Sequence, residues 1–194
     1  LKQMLPSDVE LVLKSWLHFD QAYMDKLPEK VKELGCNPDF NAYEEGVNMA
    51  PEQHPTMRTA AGHIHLGWTE NRDPMDPQHF LSCCILIKNL DVFLGVPSVL
   101  MDKEGGERRK MYGKAGCFRP KSYGCEYRSL SNFWLKDTEH MRWAFDSARK
   151  AFDLLAHKGV RMGEKYGERA RAIIDNNDEA GALELCKELK LKVL

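Results

Sequence analysis

The segment from Phe80 to Leu94 (FLSCCILIKNLDVFL) constrains the fold of this chain more than any other. Its apolar residues fall on nearly every face of a helix, broken mainly by Lys88, Asn89 and Asp91. A helix of that kind must be buried on most sides, and the remaining elements must pack around it. The run is shorter than the roughly 18–20 apolar residues that a bilayer span needs. The expectation is therefore a core helix ending at Gly95, with no membrane partner. A chain of 194 residues, 43% of them hydrophobic, can build one such core.

The formal net charge is -1, which speaks against nucleic acid as a partner. Six cysteines are scattered, with no C-x-x-C pair to suggest a zinc ribbon. They read as reduced thiols of a cytosol-like compartment. Cys83 and Cys84 lie on the core helix and read as small apolar residues.

Upstream, Glu10–Phe19 fits a strand through Leu11, Leu13, Leu17 and Phe19 or a helix through Leu13, Trp16 and Leu17, and the strand is favoured. Asp20 then caps a helix to Lys26, and a second helix runs from Pro28 to Gly35. Residues Cys36–Met57 read as a long functional loop, and Arg58–Trp68 as a strand bounded by Gly62 and Gly67. Asp73–Pro74 and Asp76–Pro77 resemble helix starts. Val96–Met101 reads as a short apolar strand, and Gly124–Leu130 as another. Asp137 caps a helix to about His157, with Met141, Ala144, Phe145, Ala148, Phe152 and Leu155 expected on its core face. Two more helices follow, near Glu164–Ile174 and Asp178–Lys190. The mixed order predicts an α+β fold with a mainly antiparallel sheet.

Four constellations carry chemical potential. In Gly62-His63-Ile64-His65-Leu66-Gly67, strand geometry puts both imidazoles on one face, about 6.5–7 Å apart. That pair suits a metal or a phosphate; a solvated face is the competing reading. In Tyr123–Arg128, strand geometry would put Glu126 and Arg128 on one face: a hard carboxylate ligand beside an anion-binding guanidinium, or else an ordinary ion pair. From Lys103 to Arg128 the chain is basic and glycine-punctuated, as a polyphosphate-binding loop or a solvated loop would be. Asp39, after Pro38, is either a metal ligand or a turn residue. His54, His79, His140 and His157 read as structural or solvent-facing.

The segments GCNPDFNAY, RTAAGHIHLGW, GVPSVLMD and RRKMYGKAGCFRPKSYGCEYRSLSNFWL, in this order, carry a resemblance that extends from about Asp20 to about Phe152. The chain resembles the phage-encoded carboxylate–amine ligases of the second type, a branch of the glutamine synthetase and glutamate–cysteine ligase superfamily. The resemblance implies a glutamine-synthetase-like α+β domain over residues 1–158, followed by a helical extension over 159–194. It implies ATP and Mg²⁺ (or Mn²⁺) as cofactors, and amide formation through an acyl phosphate. By the same match, His63, Glu126 and Asp39 would bind metal. His65, Lys114 and Arg119 would meet the ATP phosphates, and Arg119, Lys121 and Arg128 would be catalytic. The substrates would be a small-molecule or peptide carboxylate and an amine, in the host cytoplasm, with a homo-oligomer allowed. Members of the family begin with a further strand pair bearing acidic ligands, so the resemblance also implies that this chain is the C-terminal portion of a longer ligase. Two alternatives stand beside the ligase: a non-catalytic remnant that binds nucleotide or a partner, and a metal-dependent hydrolase using His63, His65 and Glu126.

Overall fold

The computed structural model describes residues 4–32, 39–49 and 55–194. Gly35, Cys36, Pro38 and His54 lie outside the described residues. In chain order the elements are β1 (Trp16–His18), α1 (Gln21–Asp25), α2 (Glu29–Lys32), β2 (Phe40–Asn41), β3 (Gly46–Val47), β4 (Met57–Thr59), β5 (Ile64–Gly67), α3 (Pro77–Leu90), a π turn (Asp91–Gly95), α4 (Val96–Met101), α5 (Gly105–Arg109), β6 (Cys117–Lys121), β7 (Gly124–Tyr127), a short 3₁₀ turn (Phe133–Leu135), α6 (Thr138–Lys158), α7 (Met162–Asp175) and α8 (Glu179–Glu188).

The expected core helix is present and longer than its sequence suggested. Asp76 caps it by accepting from the His79 N–H at 2.9 Å, with Pro77 in the first turn, where its missing N–H costs nothing. It then runs unbroken through the π turn into α4. The strand expected at Val96–Met101 is therefore a helix, and Gly95 does not end anything. The physical reason lies in the π turn and the packing. The wider turn accommodates Pro97, whose ring and missing N–H would disrupt a regular helix interior. Gly95 keeps helical dihedrals, and a Cβ there would come within 2.5 Å of Ile174 Cδ1 and 2.9 Å of the Tyr127 hydroxyl. Close approach, not chain reversal, is why it is glycine. By length and composition Pro77–Met101 could cross a bilayer, but 83% of its most apolar stretch is buried inside the protein.

One face of this helix carries the sheet and the other the later helices. Phe118, Cys125 and Tyr127 meet it from the strands; Trp143, Ala144 and Ala148 from α6; Ile173 and Ile174 from α7; Leu185 from α8. The helices of residues 159–194 thus share this core. Asp137 and Asp178 cap α6 and α8 as expected, and Gly159, in the left-handed region, ends α6. On α6, however, Met141 and Phe145 are exposed and Trp143 is fully buried. The helix presents its stripe at a slightly different angle from the one its apolar spacing implied. All five cysteines among the described residues are free and buried.

The main sheet has five antiparallel strands in the order β3-β2-β6-β7-β5. An antiparallel sheet in an α+β arrangement was expected; several details differ. The run 58–68 is two strands: β4 pairs with β1 in a separate ribbon, and β5 pairs with β7. Only Trp16–His18 of the expected first strand pairs, and Leu11, Val12 and Leu13 before it are exposed. The long loop contains the β2–β3 hairpin.

Candidate active site

β7 lies between β6 and β5, and its register places Arg119 and His65 directly across from Glu126 on either side. Side chains opposite one another in antiparallel strands share a face. Glu126 is only 4% exposed, and its carboxylate is the hub of the face. Oε1 lies 2.7 Å from His63 Nδ1 and also accepts from Arg128 Nη1; Oε2 meets Lys121 Nζ at 3.0 Å. Arg128 reaches further, from Nε to Asp39 Oδ2 at 3.3 Å. His65 Nδ1 contacts the Tyr123 hydroxyl. The structure thus joins His63, Glu126, Arg128, Lys121 and Asp39 by direct contacts, and sets His65 and Arg119 beside them in register.

Each member is held from behind. The Trp134 indole N–H donates to Gly62 O at 3.1 Å, and a Cβ on residue 62 would fall 2.3 Å from that nitrogen. Only glycine lets the chain pass under Trp134 and set His63 against Glu126. His79 is buried, and its Nε2 sits 2.9 Å from the Lys121 carbonyl, fixing the end of β6. Asp39 Oδ1 accepts from Asn48 Nδ2 at 3.0 Å, so the β2–β3 hairpin carries Asp39 into place. Asp39 is more than a turn residue here.

The basic stretch divides into parts with different roles. Arg108 and Arg109 are buried, neither solvated nor turned to the Glu126 face. Arg108 donates to the carbonyls of Ser129 at 3.0 Å and Arg128 at 3.3 Å, which anchors the chain just beyond β7. Arg109 donates to Asn177 and Ser98. Lys114 is exposed, and the ion pairs around Glu126 do not include it. The turn that carries it spends its amides on carboxylates: Ala115 N–H donates to Asp175 at 2.8 Å and Gly116 N–H to buried Asp91 at 2.7 Å. Asp91 also accepts from the Tyr127 hydroxyl at 2.7 Å. Burial pushes its carboxyl up to about 7 despite these donors. The structural reading of His79 fits its place here and the phosphate or solvated reading of Arg108 does not, while Asn48 and Asp91 carried no signal in the sequence, because their partners lie 9 and 25 residues away.

Burial, aided by the positive charge of Arg128, lowers His63 to about 4, so at neutral pH it is an uncharged imidazole. Its Nδ1 sits 2.7 Å from a Glu126 carboxylate oxygen, an acceptor, and 3.2 Å from Arg128 Nη1, a donor. Burial works against the charge on Glu126, but the Lys121 hydrogen bond and the Arg128 guanidinium outweigh it and hold the acid at about 2. Asp39 and Glu126 are bridged by Arg128. Among the described residues no three His, Cys, Asp or Glu side chains form a group that could hold a metal. This donor set does not build a closed cage for a resident ion. It does fit Mg²⁺ carried in by a polyphosphate, which takes only one or two protein ligands.

The sequence matches the family model for the phage phiEco32-like COOH.NH2 ligases, type 2, over residues 44–157. No curated protein and no solved structure matches the chain. The matched span contains His63, His65, Lys114, Arg119, Lys121, Glu126 and Arg128, and covers more than half of the chain. The chain belongs to the phage phiEco32-like COOH.NH2 ligase type 2 family.

Proposed function

We propose that this chain carries the nucleotide face of an ATP- and divalent-metal-dependent carboxylate–amine ligase with a glutamine-synthetase-like fold. The observation that carries the reading is the buried Glu126 carboxylate on the central strand, ringed by His63, Lys121 and Arg128 and flanked in register by Arg119 and His65. In the reaction, a substrate carboxylate oxygen attacks the γ-phosphorus of ATP and ADP leaves. The amine then attacks the acyl carbon of the resulting acyl phosphate, phosphate departs, and loss of a proton from nitrogen yields the amide.

Negative charge builds on the phosphoryl oxygens in the first step and on the departing phosphate in the second. Arg119, Lys121 and Arg128 meet that charge from fixed positions, which is where such sites gain most of their rate. His65 lies beside Glu126, on the opposite side of it from Arg119, as a further phosphate contact, and Lys114 adds positive charge at the rim. His63 and Glu126 would hold Mg²⁺ or Mn²⁺, with Asp39 orienting Arg128. The metal would supply neutralisation of the phosphate oxygens. No protein nucleophile is required.

Calorimetric titration with ATP tests this. Wild-type chain should bind ATP with Mg²⁺ and far more weakly without it. Glu126→Gln should weaken Mg²⁺-dependent binding about tenfold or more, because an amide cannot supply the ligand charge. Arg119→Met, on a partly exposed residue, should weaken it independently. Equal affinity in all three proteins, with or without metal, sinks the reading.

A further inference from the structure

β5 is the outermost strand of the sheet among the described residues. Its backbone phase is set by two hydrogen bonds. Trp68 N–H donates to Tyr123 O at 2.8 Å, and Arg128 N–H to Cys117 O at 2.9 Å. With the register given above, residues 64, 66 and 68 turn their N–H and C=O groups toward β7. His65 and Gly67 therefore turn theirs outward. Beside this edge runs a groove of about 380 Å³ between β5 and α6, lined by Ile64, Leu66, Phe145, Ala148 and Phe152, with Arg149 and Asp153 at its mouth. Phe145 is 65% exposed, a large apolar ring turned to solvent at the wall of the groove. The groove and the Glu126 face meet at His65.

We infer that an extended, acidic peptide binds here by adding a strand to β5, and that it is the carboxylate substrate. The backbone groups of His65 and Gly67 specify the occupant as a polypeptide, since only another strand pairs a row of alternating donors and acceptors. Side chains alternate along such a strand. The residue opposite His65 would project onto the face of His65, Arg119 and Glu126, and its two neighbours would project into the apolar groove against Phe145 and Phe152. Adjacent strands lie roughly 5 Å apart, so a glutamate side chain opposite His65 stands beside the His65 ring, two strands from Arg128 and three from Arg119 and Lys121, on the face those cations share. That face carries three cations, Arg119, Lys121 and Arg128, against the two carboxylates of Glu126 and Asp39, and its net positive charge favours an acidic side chain over an amine. The edge strand thereby supplies both the groove that holds the peptide and the direction in which its carboxylate points. The inference rests on the ligase reading only for the fate of that carboxylate.

The test uses the whole chain and the peptide acetyl-Thr-Val-Glu-Val-Thr-amide. Amide exchange followed by NMR should show the His65 and Gly67 N–H groups protected on peptide addition, while their neighbours facing β7 change little. Replacing the peptide's glutamate with glutamine should weaken binding about threefold, the loss of attraction to the net positive face, and more at low salt than at high salt. Phe145→Glu, on an exposed position, and Gly67→Pro, which removes only an outward N–H, should each weaken it at least as much. The proposal is overturned if no peptide binds at millimolar concentration, if either variant binds as tightly as wild type, or if the two amides remain unprotected. It is also overturned if sedimentation shows two copies pairing through β5 and Gly67→Pro separates them. ATP titration of the wild-type chain is read separately. Peptide binding without nucleotide binding defeats the ligase reading alone, and the converse defeats the peptide alone.

Discussion

Replacing Glu126 by glutamine removes the charge at the centre of the site while keeping its shape. The side chain is 5% exposed, and both oxygens are engaged by cations or by the His63 ring. Its acid is held at about 2 against an ordinary 4.5. That difference of about 2.5 pH units, at about 1.4 kcal/mol each, corresponds to about 3 kcal/mol of folding stability. Lys121 is about one-third exposed, so water screens part of its share. A loss of about 2–3 kcal/mol at pH 7 is the expected cost, or a fall in Tm of about 4–12 °C for a chain of this size. The sign with pH is defined. The folded acid is depressed, so its contribution is complete above the unfolded value of 4.5 and disappears as pH falls through about 2. Urea unfolding followed by circular dichroism at several pH values measures the gap between wild type and Glu126→Gln. It should be widest above about pH 5.5 and close toward pH 2. A gap under about 0.5 kcal/mol at pH 7, or one undiminished at pH 2, refutes the account of Glu126 as a buried carboxylate stabilised by its cations.

His63 is depressed from 6.5 to about 4, so the fold resists its protonation, and stability should fall by about 2–3 kcal/mol as pH drops from 6.5 toward 4. His63→Gln should flatten that part of the profile, and an unchanged slope assigns the titration elsewhere. Gly95→Ala should cost about 1–3 kcal/mol in thermal unfolding, because its Cβ meets Ile174 and the Tyr127 hydroxyl that Asp91 holds in place; a neutral effect would mean the contact between the π turn and α7 yields easily.

Local signals in this chain were strong where one element answers for itself. Asp20, Asp76, Asp137 and Asp178 each read as helix starts, and each accepts a backbone N–H there. A side-chain acceptor three residues before an orphan amide is a short-range fact, and the chain around it hardly matters. The same holds for Glu126 two residues before Arg128, whose side chains meet, and His63, just before β5, and His65, within it, both lie beside Glu126. The family resemblance likewise came from the order of short segments.

Tertiary structure decided what those segments do together. Val96–Met101 has the residues of a strand, but continuity with α3 and burial against α7 and α8 make it a helix. Local preference amounts to tenths of a kcal/mol per residue, and burying a whole apolar side chain to more than one. Arg108 and Arg109 look like a solvated or phosphate-binding pair in sequence, yet they fold inward because distant carbonyls and Asn177 await them. The ordering of strands, β7 between β6 and β5, is a long-range choice that no local pattern encodes. That ordering alone brings Arg119, Glu126 and His65 abreast. It also leaves β5 at the edge among the described residues, where the residue types were legible and their company was not.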